Sequence, residues 1–342
     1  MTSAIIGWDI GGANIKAALV DPAEHVAPVL VEQPFALWRD PHRLPHILTE
    51  IAHQLGTVRT MAATMAAEVA DCFATKREGV AFVLDALSGA FPGIDIRVYG
   101  VDGHFRSIDA ARERPHRVAA ANWLASATLA AKTLSDAWFI DVGSTTTDII
   151  PLVEGRVAVR GRTDPTRLRS GELVYTGALR TPVCAIVRTV PLRGRRCRVA
   201  AEHFAIAADA HLWLGHIEAG DYSCDTPDGR GRSREEAAAR LARMVCADLD
   251  TLTSNDVTII ADAVARAQVQ HIAGAIRQVR RRLGSRSPRD AIIVGRGAFL
   301  ATCAAAATGL VVREIGNDYG GGAACVTPAA AVARLLLSRE AV

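Results

Sequence analysis

The sequence predicts a two-domain α/β protein with a duplicated strand–turn–strand unit. Three observations carry this. At 342 residues the chain exceeds the usual size of one compact domain. Strand-like and helix-like segments alternate along its length. The opening segment IIGWDIGGANIKAALVD is matched by a second unit, Ala137 to Leu152, so that Asp9 falls on Asp141, Gly11 on Gly143, Gly12 on Ser144 and Asn14 on Thr146.

Taken in order, the apolar and β-branched residues flanking the Gly-Gly of the first unit predict strand, tight turn and strand. Glu32 to Pro45 is polar and punctuated by proline, and Ile47 to Leu55 has helical periodicity. Thr64 to Phe73 is expected to run from strand into helix, with a helix from about Lys76 that Gly89 and Pro92 stop. Ile94 to Val101 is expected as a strand and the Ala-rich Ala119 to Lys132 as a helix. After the second unit come a strand at Gly155 to Arg160, an irregular stretch with Pro165, Gly171 and Pro182, and helices near Glu202–Leu214, Arg234–Leu249 and Asp256–Leu283. The strand AIIVG, a helix from Ala298, the strand LVVREI and an Ala-rich helix from Pro328 close the chain. The expected domains are residues 1–135 and 136–325, with helix 326–342 packing back on the first.

Half of the residues are hydrophobic, enough to bury two sheets. Met1 leads straight into a strand-like run with no basic and apolar leader. Every apolar run is broken before the roughly 18–20 residues of a membrane span, so a cytoplasmic protein without membrane contact is expected. Seven scattered cysteines without a C-x-x-C pair predict reduced thiols, and the spacing of His211, His216 and Cys224 fits no zinc pattern. Net charge is +3, and Lys16, Lys76 and Lys132 are the only lysines. The basic run Arg277 to Arg289 lacks interleaved aromatics, so Arg280, Arg281 and Arg282 are expected as a solvated helix end rather than a nucleic-acid surface. A homodimer is compatible with this composition.

The repeated unit points to phosphate chemistry. Glycine-rich turns leave backbone N–H groups free to face an anion, here at Gly11, Gly12, Ala13 and Asn14 and again at Gly143, while Ser144, Thr145 and Thr146 add hydroxyl donors. An aspartate closing each first strand, Asp9 or Asp141, suits a hydrated Mg²⁺ that keeps water and phosphate oxygen among its ligands. Neither a P-loop nor an opening G-x-G-x-x-G is present. In the middle segments Lys76 and Arg77 suit a diphosphate, Glu68, Asp71 or Glu78 a base, and Tyr175 with Arg180 a substrate loop.

DIGGANIK and DVGSTTTD resemble the paired phosphate motifs of the acetate kinase/sugar kinase/Hsp70/actin superfold, and IIVGRGAFLA, with Gly295 and Gly297, is similar to its adenosine motif. The resemblance implies a two-domain actin-like ATPase fold, ribonuclease H-like in each half, with an interdomain cleft. A narrower likeness spans nearly the whole chain. TMAAEVADCFATKREGV, GELVYTGALRTPV, AEHFAIAADAHLWLG and the C-terminal GGG segment resemble the hydantoinase/oxoprolinase-related proteins linked to tetrahydromethanopterin one-carbon transfer.

That family resemblance implies a transferase of methanofuran or methylofuran biosynthesis. It joins an aminomethylfuran-methyl diphosphate to a phenolic tyramine- or tyrosine-type acceptor as an ether and releases pyrophosphate. Mg²⁺, the turns and Lys16 or Lys76 would stabilise the departing diphosphate, and Asp148, Glu68 or Asp9 would take the phenol proton. In the alternative, an ATP-dependent small-molecule kinase or a hydantoinase/oxoprolinase-type hydrolase, the same turns hold ATP phosphates. ATP is not the favoured cofactor. A nucleotide-sensing regulator would carry a partner-binding appendage, and none is visible in the sequence.

Overall fold

The protein is described here as a computed structural model covering residues 4–23, 26–314, 324 and 326–340. The C-terminal GGG segment, Gly320 to Gly322, lies outside these residues, as does Ile315 of the LVVREI run.

In the first half, β1 (Ile5–Ile10), β2 (Asn14–Val20), β3 (Val29–Pro34), α1 (Leu44–Leu55), β4 (Thr60–Met65), α2 (Lys76–Ala90), β5 (Asp95–Tyr99), β6 (Phe105–Ser107) and α3 (Ile108–Glu113) precede α4 (Asn122–Thr133). The second half runs β7 (Ala137–Val142), β8 (Thr147–Val153), β9 (Arg156–Val157), α5 (Asp164–Ser170), β10 (Leu173–Val174), α6 (Val183–Ile186), β11 (Thr189–Leu192), β12 (Arg195–Arg198), α7 (Ala207–Leu214), α8 (Arg234–Arg243), α9 (Ser254–Leu283), β13 (Asp290–Val294), α10 (Ala298–Ala307), β14 (Val311–Arg313) and α11 (Pro328–Glu340).

The first sheet has the order β3-β2-β1-β4-β5-β6 and the second β10-β8-β7-β13-β14, with β9 on β8. In both, an antiparallel hairpin supplies one side and parallel strands the other: β1 pairs antiparallel with β2 and parallel with β4, as β7 does with β8 and β13. This repeated order is the duplicated ribonuclease H-like sheet of the actin-like fold.

Alternation along the strands sorts residues between two faces. Ile6, Trp8 and Ile10 pack outward with Ile47, Leu48, Val80 and Leu84 of α1 and α2, while Trp138, Ile140 and Val142 pack with Ile272, Ile276 and Leu300 of α9 and α10. The opposite faces share one core, in which Ile5, Ala18, Phe139 and Ile150 join Leu124 and Ala127 of α4 and Val332 and Leu336 of α11. α11 lies on β1, β2 and β4, α4 lies on β7, β8 and β9, and the two helices pack on each other. Gly7 is needed for this, because a Cβ there would run into the carbonyl of Ala329. The layers are therefore sheet, two helices and sheet, with Lys132 of α4 hydrogen-bonded to Ser338 of α11 at 3.2 Å.

Several expected boundaries shift. Residues 66–75 are not helical: Ala66 N–H is taken by Ile10 O, tight turns follow at 67–70 and 70–73, and α2 begins only where Thr75 caps Glu78 N–H. The Ala-rich local pattern suits a helix, but the chain must cross here from the end of β4 to the outer face. β3 runs into the polar stretch only at Glu32 to Pro34; it is an edge strand, largely exposed along its length, and so lacks the alternation of a half-buried strand. The helix expected from Glu202 starts at Ala207, because Asp209 caps Ile206 N–H, and the one from Arg234 ends at Arg243, ahead of the left-handed Cys246. Arg280 and Arg282 are not merely solvated: Arg280 donates to Thr308 O at 2.7 Å and Arg282 pairs with Glu172 at 2.7 Å. Six of the seven cysteines lie among the described residues, and all six are free thiols. No helix among the described residues is long and apolar enough to cross a membrane.

Candidate active site

Strand parity places the repeated aspartates. Ile5 and Ala18 belong to the inner core, so Asp9, four residues beyond Ile5, and Lys16, two before Ala18, share that inner face. Phe139 and Ile150 place Asp141 and Asp148 on the inner face of the second sheet by the same count. Asp9 is registered opposite Lys16 across the β1–β2 hairpin, and Asp141 opposite Asp148 across β7–β8. The two hairpins thus aim four titratable side chains into the space between the sheets.

Both turns close alike, with Gly11 N–H donating to Asn14 O at 3.0 Å and Gly143 N–H to Thr146 O at 2.9 Å. Among the described residues, the N–H groups of Gly12, Ala13, Ser144 and Thr145 make no internal hydrogen bond. A Cβ at Gly12 would meet only the Cβ of Ala70 at 4.0 Å, so the space above this turn is open. N–H donors beside open space have the chemistry to receive an anion.

Burial pushes the Asp9 carboxyl up to about 6, against the nearby Lys16, and its Oδ1 has no hydrogen-bond partner. Burial also lifts Asp141 to about 7, and the charges of Asp148 and Asp9 add to the lift while Lys16 opposes it. Asp148 is raised by burial, although Arg167 holds it at 2.7 Å and is itself stacked 3.9 Å over Trp123. Asp9 and Asp141 are thus neighbours whose ionised forms lack enough positive charge. No cluster of three or more His, Cys, Asp or Glu among the described residues could cage a metal. Two carboxylates and an unpartnered oxygen do fit a Mg²⁺ that completes its shell with water and substrate phosphate.

A second group lies alongside. The loop after β4 carries Glu68, fully buried with neither carboxylate oxygen in a hydrogen bond, and burial lifts it to about 7. Lys76 starts α2 and reaches Glu68 at 3.9 Å and Asp164 of α5 at 2.8 Å, joining the two halves. A cation at a helix N-terminus opposes the dipole, so its position needs such acids. Asp164 also raises Asp148, which makes one continuous charged cluster from Asp9 to Glu68. Arg77 and Asp71 are exposed, and the Glu78 carboxylate is occupied as a cap, accepting from Ala74 N–H at 2.9 Å.

The segment holding Tyr175 and Arg180 buttresses the second turn. Ala178 N–H donates to Gly143 O, and Leu179 and Arg180 N–H donate to Ser144 O. A Cβ at Gly177 would lie 2.5 Å from Thr145 N. Gln268 donates to Thr176 and Gly177 and meets buried His211, whose other nitrogen faces His216 at 3.1 Å. Tyr175 points away, 66% exposed. Gly295 and Gly297 follow β13 as expected, yet the reason for glycine is internal: a side chain at 295 would strike Asp141 and Val142, and one at 297 would strike Val142.

The hydantoinase/oxoprolinase family profile matches residues 59–339. The chain belongs to the hydantoinase/oxoprolinase family. It is 33% identical over 337 residues, 98% of both chains, to (4-{4-[2-(gamma-L-glutamylamino)ethyl]phenoxymethyl}furan-2-yl)methanamine synthase of Methanocaldococcus jannaschii. The synthase of the same name from Methanococcus vannielii is 35% identical over 158 residues, 46% of this chain and 69% of that one. In fold the chain is similar to nucleotide-free acetone carboxylase (TM-score 0.56, 10% identity, 96% of this chain and 71% of that one). It is also similar to the PilM–PilN type IV pilus biogenesis complex (TM-score 0.50, 13% identity, 99% of this chain and 98% of that one).

In this family member a cavity of about 390 Å³ opens beside both turns, reaching Ala13, Asn14 and Ser144. Arg180 lines it, and so do Trp38, Arg39 and Asp225, which the sequence did not single out. Trp38 and Arg39 sit in the Pro-punctuated stretch after β3, where no local pattern separates them from ordinary loop residues. Asp164 was equally silent, since only the fold brings α5 to the N-terminus of α2.

Proposed function

We propose that this protein is a transferase of methanofuran-type cofactor biosynthesis that joins an aminomethylfuran-methyl diphosphate to a phenolic acceptor, forming an ether and releasing pyrophosphate. The observation that carries the reading is the end-to-end identity with the M. jannaschii synthase, which takes in both turns and the segments that support them.

The diphosphate lies between the turns, received by the free N–H groups of Gly12, Ala13, Ser144 and Thr145 and by the hydroxyls of the second turn. Asp9 and Asp141 would hold Mg²⁺, which would supply positive charge for the departing diphosphate. Lys16 faces both aspartates and Lys76 stands at the other end of the cluster, so cationic charge flanks the leaving group. As the C–O bond breaks, its electron pair leaves with the diphosphate. The phenol oxygen forms the new bond to the methylene carbon, and its proton passes to a carboxylate.

Glu68 fits that last role best. Asp148 is hydrogen-bonded to Arg167 at 2.7 Å, whereas Lys76 stands 3.9 Å from Glu68, beyond hydrogen-bond reach, and the Glu68 pKa near 7 suits a base at neutral pH. Residues 1–135 with 326–342, and 136–325, act as two domains, and parting of the Lys76–Asp164 pair between them frees Glu68 to take the proton.

The test is incubation with Mg²⁺, the furan diphosphate and a phenolic amine, followed by mass spectrometry for the ether and assay of pyrophosphate, with a parallel ATP arm. Ether and pyrophosphate in equal amounts support the reading. Stoichiometric ADP formation, or no ether, refutes it.

A further inference from the structure

The cavity beside the turns is larger than the transferred group requires. The reacting methylene is bonded directly to the diphosphate, so the furan lies within a ring's width of the cradle. Most of the cavity's roughly 390 Å³ is left beyond it. Its walls come from both halves of the chain. The indole of Trp38 is held by the Arg180 guanidinium, 4.9 Å from the ring centroid, which gives a planar aromatic wall. At the rim, Arg39 and Asp225 pair at 2.7 Å, again across the two halves. Two guanidiniums disfavour the ammonium of the furan-methanamine here. One guanidinium beside one carboxylate complements a zwitterion, since an amino-acid end can exchange partners with both at once.

We propose that this cavity is the acceptor subsite, taking a phenol ring against Trp38 and an α-amino-acid end at Arg39 and Asp225. The inference rests on the transferase reading, and it adds which residues select the acceptor. The phenol oxygen then points toward Asn14 and Ser144, where the cavity meets the cradle.

Direct binding separates this proposal from the reaction itself. Calorimetric titration of wild-type protein with γ-glutamyltyramine, tyrosine and tyramine is expected to show tighter binding of the two amino-acid ligands. Trp38→Ala should weaken all three by about tenfold, the worth of one aromatic contact of about 1.4 kcal/mol. Arg39→Met, a change at an exposed rim position that leaves folding intact, should weaken the two amino-acid ligands and leave tyramine unchanged. The KM for the furan diphosphate should stay within about twofold in both variants, since the cradle is untouched.

Acceptor binding that follows this pattern without any ether product supports the subsite while refuting the transfer reading. Ether formation with acceptor affinities unchanged in both variants overturns the subsite alone. A rise confined to the diphosphate KM, or no acceptor binding by the wild type, overturns it as well.

Discussion

The two hairpins of this protein share a frame and differ in one decisive pair. Each turn is closed by the same glycine-to-carbonyl bond, each first strand ends in an inward aspartate, and each lifts that carboxyl by burial. Opposite the aspartate, however, the first hairpin has Lys16 and the second has Asp148. Lys16 is partly exposed and tethered to Glu32 at 3.9 Å, and Glu32 in turn meets Arg296 of the other half at 2.8 Å. Asp148 is held down by a buried arginine. The two turns share a backbone frame, while one cross-strand position makes the halves unequal: the first sets a cation opposite its aspartate, the second an acid locked to Arg167.

The largest expected effect tests what the hairpins share. Asp9→Asn and Asp141→Asn should each lower turnover by about 10³-fold or more, because both remove charge that Mg²⁺ needs. The same changes should stabilise the metal-free protein. A carboxylate whose folded pKa is raised contributes stability that is fully present below its unfolded pKa near 4 and is lost as pH rises through 6 to 7. The amides avoid that loss, so Tm should exceed wild type by roughly 2–4 °C at pH 8 and match it at pH 4, read by calorimetry without Mg²⁺. Equal or lower variant Tm at pH 8 would mean the aspartates are not held at such a cost.

The next effect breaks the asymmetry. Lys16→Met should leave Tm nearly unchanged and weaken diphosphate use by about 10²-fold in kcat/KM, as expected for a lost charge near the leaving group. Asp148→Ala should instead cost about 3 kcal/mol in denaturant unfolding, because Arg167 is left buried without its partner. If the two variants behave alike, the division between ligand-facing cation and scaffold acid is wrong.

Smaller effects separate packing glycines from cradle glycines. Gly12→Ala meets nothing closer than 4.0 Å and should fold normally while raising the diphosphate KM by about tenfold, since it fills ligand space. Gly11→Ala places a Cβ 2.8 Å from Asn14 O and should lose about 1–3 kcal/mol of stability. Gly297→Val should lose at least as much whether or not ATP is present, because it meets Val142 within the protein. The smallest effect is expected at Tyr175, where replacement by alanine should change kcat/KM less than about twofold, given its exposure away from the cavity.

The legible part of the site was local. Gly-Gly and Gly-Ser between β-branched runs specify a turn by sterics alone, so the positions of Asp9 and Asp141 beside the two turns followed from sequence, whereas the approach of Lys76 to Glu68 needed the loop after β4. Residues 66–75 defeated the same approach, because an Ala-rich stretch has intrinsic helix propensity that the crossing from β4 to α2 overrides. Tyr175 and Arg180 looked equivalent in their Gly/Pro-rich loop, yet backbone hydrogen bonds to Ser144 turn one toward the cavity and leave the other in solvent.

By itself the sequence determined the α/β class, the duplicated hairpin and the position of its two glycine-bearing turns, because strand alternation and glycine stereochemistry act over a few neighbouring residues. Only the tertiary structure decided which charges meet. Lys76 finds Asp164 across 88 residues, Arg296 finds Glu32 across 264, and the Trp38 indole finds the Arg180 guanidinium from the other half of the chain. Pairings of that kind depend on how two sheets pack through α4 and α11, and no local propensity encodes that packing.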